Sequence, residues 1–300
     1  VLTYDASEKA NAMGPSVIDP RTGEILEADI IWWHNVKSLL REWIMVQTGA
    51  YNKEARQYEL PEALIGDAAR FVACHEVGHS LGLRHNMIAS NAYPTDSLRS
   101  KSFTDYVCGT AASIMDYARF NYVAQPGDKG VKLVPPALGV YDEYAIKWLY
   151  TPVPEAKDIW EEAAIAGKII DDKAGDPLYR YGAQQVTNSA SYGTYDPSAR
   201  TEDLGDDPIK SSDYGIKNLK YILPRMNEWL GSDDKDFTHR GALYTQLTNQ
   251  YYRYIGNVLA QVGGIYLNNV KDGSAVKPSV PVARKVQKAS LKWVVSQLCS

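Results

Sequence analysis

Three cysteines, Cys74, Cys108 and Cys299, are too few for a disulfide-stapled scaffold, and their odd count rules out full pairing within one chain. No apolar run approaches the roughly 20 residues that a membrane-spanning helix needs. Charge of neither sign dominates. Against 32 Lys and Arg stand 36 Asp and Glu, a net charge of −4 that gives no electrostatic case for nucleic acid. Phenylalanine is scarce, with 4 residues beside 21 tyrosines and 7 tryptophans, so the aromatic content is mostly amphipathic and suits polar or extracellular surroundings. No internal repeat appears, which excludes a solenoid. What remains is an ordinary globular composition over 300 residues, enough for one large domain or two modest ones. Histidine is scarce as well, five in all, yet three of the five fall within eleven residues.

Those eleven residues run His75-Glu76-Val77-Gly78-His79-Ser80-Leu81-Gly82-Leu83-Arg84-His85. His75 and His79 are four apart, so on a helix they stand one turn apart on one face, where both imidazoles reach a single ion. Glu76 lies about 100° around the helix from His75. It can flank the ion without binding it and hold a water for deprotonation. Gly82 can take a left-handed conformation, end the helix and let the chain return His85 as a third ligand. Three ligands leave a fourth position open, the mark of a catalytic zinc site. Chance would assemble this register on the order of once in ~10⁵ chains of this length. The helix should begin at Pro61-Glu62, with Phe71, Cys74, Gly78 and Leu81 as its core stripe.

Thirty residues on comes Ser113-Ile114-Met115-Asp116-Tyr117. Together with the extended zinc motif it resembles the metzincins, zinc endopeptidases with a methionine-containing turn beneath the metal. The resemblance implies that Met115 forms a hydrophobic floor under the histidines and is not a ligand. It implies that Tyr117 stands in the site, able to bind zinc or to stabilise the oxyanion. The stretch Leu138–Tyr150 looks like the helix that follows that turn. His85-Asn86-Met87-Ile88-Ala89-Ser90, the hairpin at Asp19-Pro20-Arg21-Thr22-Gly23 and the later Thr201-Glu202-Asp203-Leu204-Gly205-Asp206-Asp207 are similar to the large bacterial zinc-dependent metalloproteases with a Met-zincin catalytic domain. Asn86 replaces the acid of astacins and the proline of serralysins after the third histidine.

The fold class expected is therefore α+β, a metzincin-like zincin fold with a small mixed sheet and an active-site helix. Residues 1–151 would form the catalytic core and 152–300 a mainly helical C-terminal region, divided near Pro152 and Pro154. Residues 15–33 read as a hairpin whose second strand, 24–33, would be the edge strand along which an extended peptide binds. Further helices are expected over 34–48, 155–168, 214–230 with a kink at Pro224, 237–261 and 282–298, with 171–207 irregular. Asp203, Asp206 and Asp207, with Asp196 and Glu202, offer either a calcium site or a solvated loop with helix caps. Cys74 and Cys108 are expected near the metal as buried free thiols, or as a disulfide. The resemblance also implies export to the periplasm, cell surface or medium. The chain opens in mid-strand, with little room for the strand and long helix expected before the hairpin, so it reads as a fragment of a longer protein. The function implied is a zinc-dependent endopeptidase with Glu76 as general base. The alternatives are a catalytically silent metzincin-fold scaffold and a zinc hydrolase of a non-peptide bond.

Overall fold

The structure, a computed structural model, describes residues 1–136, 138–183 and 195–299. The chain begins with short strands. β1 (Leu2–Asp5) runs parallel to β5 (Ile30–Trp33), and β2 (Ala12–Met13) runs antiparallel on the other side of β5. The sheet order is β1-β5-β2. Between β2 and β5, β3 (Ser16–Ile18) and β4 (Ile25–Ala28) make a separate two-stranded hairpin. Its turn is the expected one. The Asp19 carboxylate accepts from the main-chain N–H of Arg21 and from its guanidinium, and the Gly23 N–H donates to the Asp19 carbonyl.

The expected edge strand over 24–33 is corrected by this topology. It breaks at Asp29, whose N–H donates to the Pro15 carbonyl and closes the hairpin loop. The half nearer the helices, β5, is the central strand, paired on both sides. The outer strands, β1 and β2, each keep an unpaired side, and β2 is the one that packs against α2. Only two residues long, β2 has no periodicity for a sequence to display.

α1 (Val36–Thr48) and α2 (Glu62–Ser80) follow and share a core of Val36, Leu40, Ile44, Ala68 and Phe120. α2 starts directly after Pro61, as expected, and runs to Ser80. Its buried face keeps Phe71 and Gly78 of the expected stripe but not all of it. Ala68, Phe71, His75 and Gly78 are buried, whereas Leu81 is 42% exposed and Leu83, past the turn, takes the inner place. After α3 (Lys101–Tyr106) comes α4 (Val140–Tyr150), the helix expected after the methionine turn.

The C-terminal half is mainly helical: α5 (Ile159–Asp171), α6 (Pro208–Ile222), α7 (Met226–Leu230), α8 (Thr238–Leu259) and α9 (Arg284–Leu298), with β6 (Ile265–Leu267) paired antiparallel to β7 (Ser279–Pro281). α5 begins later than expected because Asp158 caps it, accepting from the N–H groups of Trp160 and Glu161. α6 begins six residues early, capped by Asp207 with Pro208 in its first turn, and the expected kink at Pro224 is a short 3₁₀ turn. Of the stretch 171–207 expected to be irregular, 184–194 lies outside the described residues. One hydrophobic core joins both halves. Met45, Leu98, Ala112 and Tyr122 pack in it with Leu204, Ile216, Leu243 and Tyr254.

Candidate metal centre

The helix carries His75 and His79 to one face, and the turn at Gly82 brings back the third histidine. Gly82 has φ +86°, a conformation that side chains other than glycine adopt at a cost. The three rings converge. His79 Nε2 lies 3.0 Å from His85 Nε2, which lies 3.1 Å from His75 Nε2. Two of the outer nitrogens are already committed. His75 Nδ1 donates to the Ile114 carbonyl at 2.8 Å and His79 Nδ1 to the Leu83 carbonyl at 3.0 Å. A carbonyl only accepts, so the neutral rings carry their proton on Nδ1 and turn bare Nε2 lone pairs toward one another.

Such an arrangement is repulsive unless a cation sits among the lone pairs. Nitrogens on a zinc tetrahedron at roughly 2.0–2.1 Å from the metal stand about 3.3–3.4 Å apart, close to what is found. The donor set fits zinc. Burial holds His75 down to about 3 and His85 to about 4, and it also lowers His79, with the neighbouring cations and imidazoles adding to the effect in His75 and His85. All three are therefore neutral near pH 7, ready to bind without first losing a proton. Among the described residues this is the one group of His, Cys, Asp or Glu side chains that converges as a metal site.

Glu76 is 7% exposed and contributes to a cleft lined also by Ala12, Trp43, Phe71, His75, Tyr117 and Arg119. Desolvation lifts its carboxyl to about 7. A cation bound by the histidines would oppose that rise by direct attraction. The main chain leaving β2 runs against the motif. A Cβ placed on Gly14 would stand 2.9 Å from the Glu76 carbonyl and 3.1 Å from its carboxylate. The end of β2, one of the two outer strands, thus borders the acid.

Met115 is fully buried with Phe71, Leu83, Ile114 and Ala145 beneath the helix. A Cβ on Gly78 would fall 2.4 Å from its sulfur, so a glycine there lets the methionine close against the helix. The turn is held by Asp142 of α4. Its carboxylate accepts from the Ser113 hydroxyl at 2.5 Å, the Ile114 N–H at 2.8 Å and the Gly139 N–H at 2.7 Å. Tyr117 is partly buried, its ring centroid 4.6 Å from that of His85 and 5.2 Å from that of His75. Burial raises its phenol, an effect that Arg119 opposes.

All six residues singled out for the site, His75, Glu76, His79, His85, Met115 and Tyr117, therefore gather in one place. Others were missed. Asn86 is fully buried, donating to the Arg180 carbonyl and accepting from the Gly182 N–H, while its own N–H donates to the Met115 carbonyl. Asp142 was visible only as an acid near a helix start. Arg119 gave no signal.

The remaining expectations fare differently. The carboxylates proposed for calcium serve separate partners. Asp203 accepts from the Ser90 hydroxyl, Asp206 from the Thr95 N–H and Asp207 from the Lys210 N–H at the start of α6. The cap is found at Asp207, but the loop is not solvated as expected, since Asp196, Glu202 and Asp203 are buried. All three cysteines are free, and Cys108 is exposed rather than buried because its residue sits at the end of a surface turn following α3. No helix among the described residues is long and apolar enough to cross a membrane.

Comparison with known proteins agrees with this geometry. A family model described as Met-zincin matches residues 57–300, well over half of the chain and across the motif helix, the methionine turn and the helical half alike. Comparison with curated proteins and with solved structures gives no match. With three histidines converged over a buried methionine and this match spanning them, the chain belongs to the Met-zincin family, whose fold is of the zinc metallopeptidase type.

Proposed function

We propose that this protein is a zinc-dependent endopeptidase. The observation that carries the reading is the convergence of three Nε2 atoms with a buried carboxyl, Glu76, on the adjacent helix position. His75, His79 and His85 would hold the ion. Bound zinc would supply Lewis acidity, lowering the pKa of the attacking water toward ~7 and drawing charge from the scissile carbonyl. Glu76 takes the proton from that water and passes it to the leaving amine, a role suited to a buried carboxyl that lines the cleft beside His75. The Tyr117 hydroxyl hydrogen-bonds to the oxyanion as it forms. Met115, in its turn, forms the floor under the rings.

Substrate would lie extended beside β2, pairing with its free side by main-chain hydrogen bonds and so passing over Glu76. A cavity of ≈ 660 Å³ opens beside Leu83 and Arg84, with Tyr141, Tyr144, Trp148 and Tyr179 among its walls. It offers an apolar place for a substrate side chain.

The test is a peptide-library digest with zinc-loaded protein, its chelated form and the Glu76→Gln variant. Wild type should cleave, chelation should stop it, and Glu76→Gln should retain zinc without cleaving. Undiminished cleavage by Glu76→Gln would overturn the assignment of the base. A zinc-loaded wild type that hydrolyses nothing would favour the silent-scaffold reading.

A further inference from the structure

Behind Tyr117 lies a charged group that the chemistry above does not use. The Arg119 guanidinium stands 4.4 Å from the centroid of the Tyr117 ring and 3.9 Å from that of Trp43. Trp43, the Arg119 guanidinium, Tyr117 and the imidazoles of His75 and His85 thus form a continuous series of contacts that ends at the histidine cluster. The C-terminal half supplies the tether. Glu202 places its carboxylate 3.7 Å from Arg119 and 3.2 Å from Arg253, and accepts from the Gln47 amide at 3.2 Å. The main-chain N–H of the same Glu202 donates to the Tyr117 carbonyl at 2.9 Å.

Two details argue against an ordinary structural ion pair. Arg119 Nε is buried, lies 3.7 Å from the Glu202 carboxylate and has no hydrogen-bond partner among the described residues, so the two rings contribute to placing the guanidinium where the carboxylate offers no optimal fork. Arg119 and Glu202 also both adopt left-handed φ, 57° and 56°, a conformation disfavoured for their side chains and maintained only where the surroundings enforce it. Both strained residues converge on Tyr117.

We propose that Arg119 is a positioning residue: gripped between Trp43 and Tyr117 and tethered by Glu202, it fixes the Tyr117 phenol over the histidine cluster. The helical half thereby sets the alignment of a side chain in the site. The kinetic part of the test rests on the peptidase reading; the spectroscopic part does not.

The experiment compares wild type, Arg119→Met, Arg119→Lys, Tyr117→Phe and the Arg119→Met/Tyr117→Phe double variant. In metal-free protein with ¹³C-labelled tyrosine, the ring signals of Tyr117 are those lost in Tyr117→Phe. Arg119→Met should move them toward the positions of a solvent-exposed ring. In zinc-loaded protein, Arg119→Met should lower kcat roughly ten- to a hundredfold with little change in KM, the scale of a misplaced group. Arg119→Lys keeps the cation but loses the plane and should recover part of the loss. In the Tyr117→Phe background Arg119→Met should cost nothing further. An equal loss of kcat with and without the Tyr117 hydroxyl would overturn the proposal, as would Tyr117 signals unmoved by Arg119→Met. Should Arg119→Met not fold, Arg119→Lys and Glu202→Gln carry the same two readouts. Shifted Tyr117 signals in a protein that hydrolyses nothing would sustain the positioning role and sink the peptidase reading.

Discussion

Replacing Asp142 with alanine tests how the methionine turn is held. The carboxylate is fully buried and accepts three hydrogen bonds, from the Ser113 hydroxyl and the N–H groups of Ile114 and Gly139. Alanine leaves all three donors without their acceptor. A buried donor left unsatisfied costs about 1–3 kcal/mol, so three bring the expected loss to roughly 4 kcal/mol after partial relaxation. That is a large share of the stability of an ordinary domain. The effect should also reach the metal. Ile114, held through its N–H by Asp142, presents its carbonyl to His75 Nδ1. Loss of such an outer partner weakens metal binding by about 10–100-fold. Urea denaturation of the metal-free protein reads the first effect, and competition for zinc with a chromophoric chelator reads the second. Asp142→Asn, which keeps one acceptor oxygen, should fall between. An unchanged midpoint would show that these hydrogen bonds contribute nothing net. A lowered midpoint with unchanged zinc affinity would break the link from Asp142 through Ile114 to His75.

His239 predicts a pH dependence. It is 4% exposed, neither ring nitrogen has a hydrogen-bond partner among the described residues, and burial together with the nearby Arg41 guanidinium lowers it to about 4 against the attraction of Asp234. Above the unfolded value of about 6.5 the residue is neutral in both states and contributes nothing; as pH falls to 4 only the unfolded chain takes the proton, and about 3 kcal/mol of stability is lost. His239→Phe should therefore flatten the decline of the urea midpoint between pH 6.5 and 4, and an identical slope would refute the argument. Gly78→Ala gains about 1 kcal/mol of helix propensity but drives a methyl into the Met115 sulfur at about 1–3 kcal/mol, for a net loss near 1 kcal/mol. A higher urea midpoint for that variant would show that Met115 moves aside freely.

The parts of the site legible in the sequence are those written in local geometry. A proline and an acid start α2, a glycine with positive φ ends it, and helical spacing alone pairs His75 with His79. What local patterns cannot contain is contact across the chain. Asn86 meets Arg180 and Gly182, Asp142 meets Ser113 and Ile114, and Glu202 meets Tyr117. In sequence Asn86 stands out only as a departure from the astacin and serralysin patterns, Asp142 only as an acid near a helix start and Glu202 only beside the candidate calcium acids, and none of them shows its partner. The start of α6 is a different kind of omission. Asp207-Pro208 is a readable cap followed by a first-turn proline. The polar, weakly periodic run behind it hid the signal. The strand bordering the site escaped because two residues define no alternation and because the longer apolar run nearby, 24–33, belongs to two different ladders.

The distribution of these contacts bears on where the site's rigidity comes from. Eleven consecutive residues supply the three histidines, but a turn past a glycine cannot by itself fix the third ring against the first two. Each part is instead anchored by a buried polar group from another element. His75 is held through Ile114 by Asp142 of α4. The residue after His85 is fastened to the segment Arg180–Gly182, and Tyr117 is fastened to Glu202. Two of these three anchors lie beyond residue 151. The helices that follow them, α6 and α8, pack into the same hydrophobic core as Met45 and Tyr122. Removing the helical half would therefore strip apolar cover from that core and leave Asn86, a buried amide, without either of its partners from that segment. The loss would fall on the loop that returns His85, so the geometry of the three histidines depends on the whole chain and not on the motif alone.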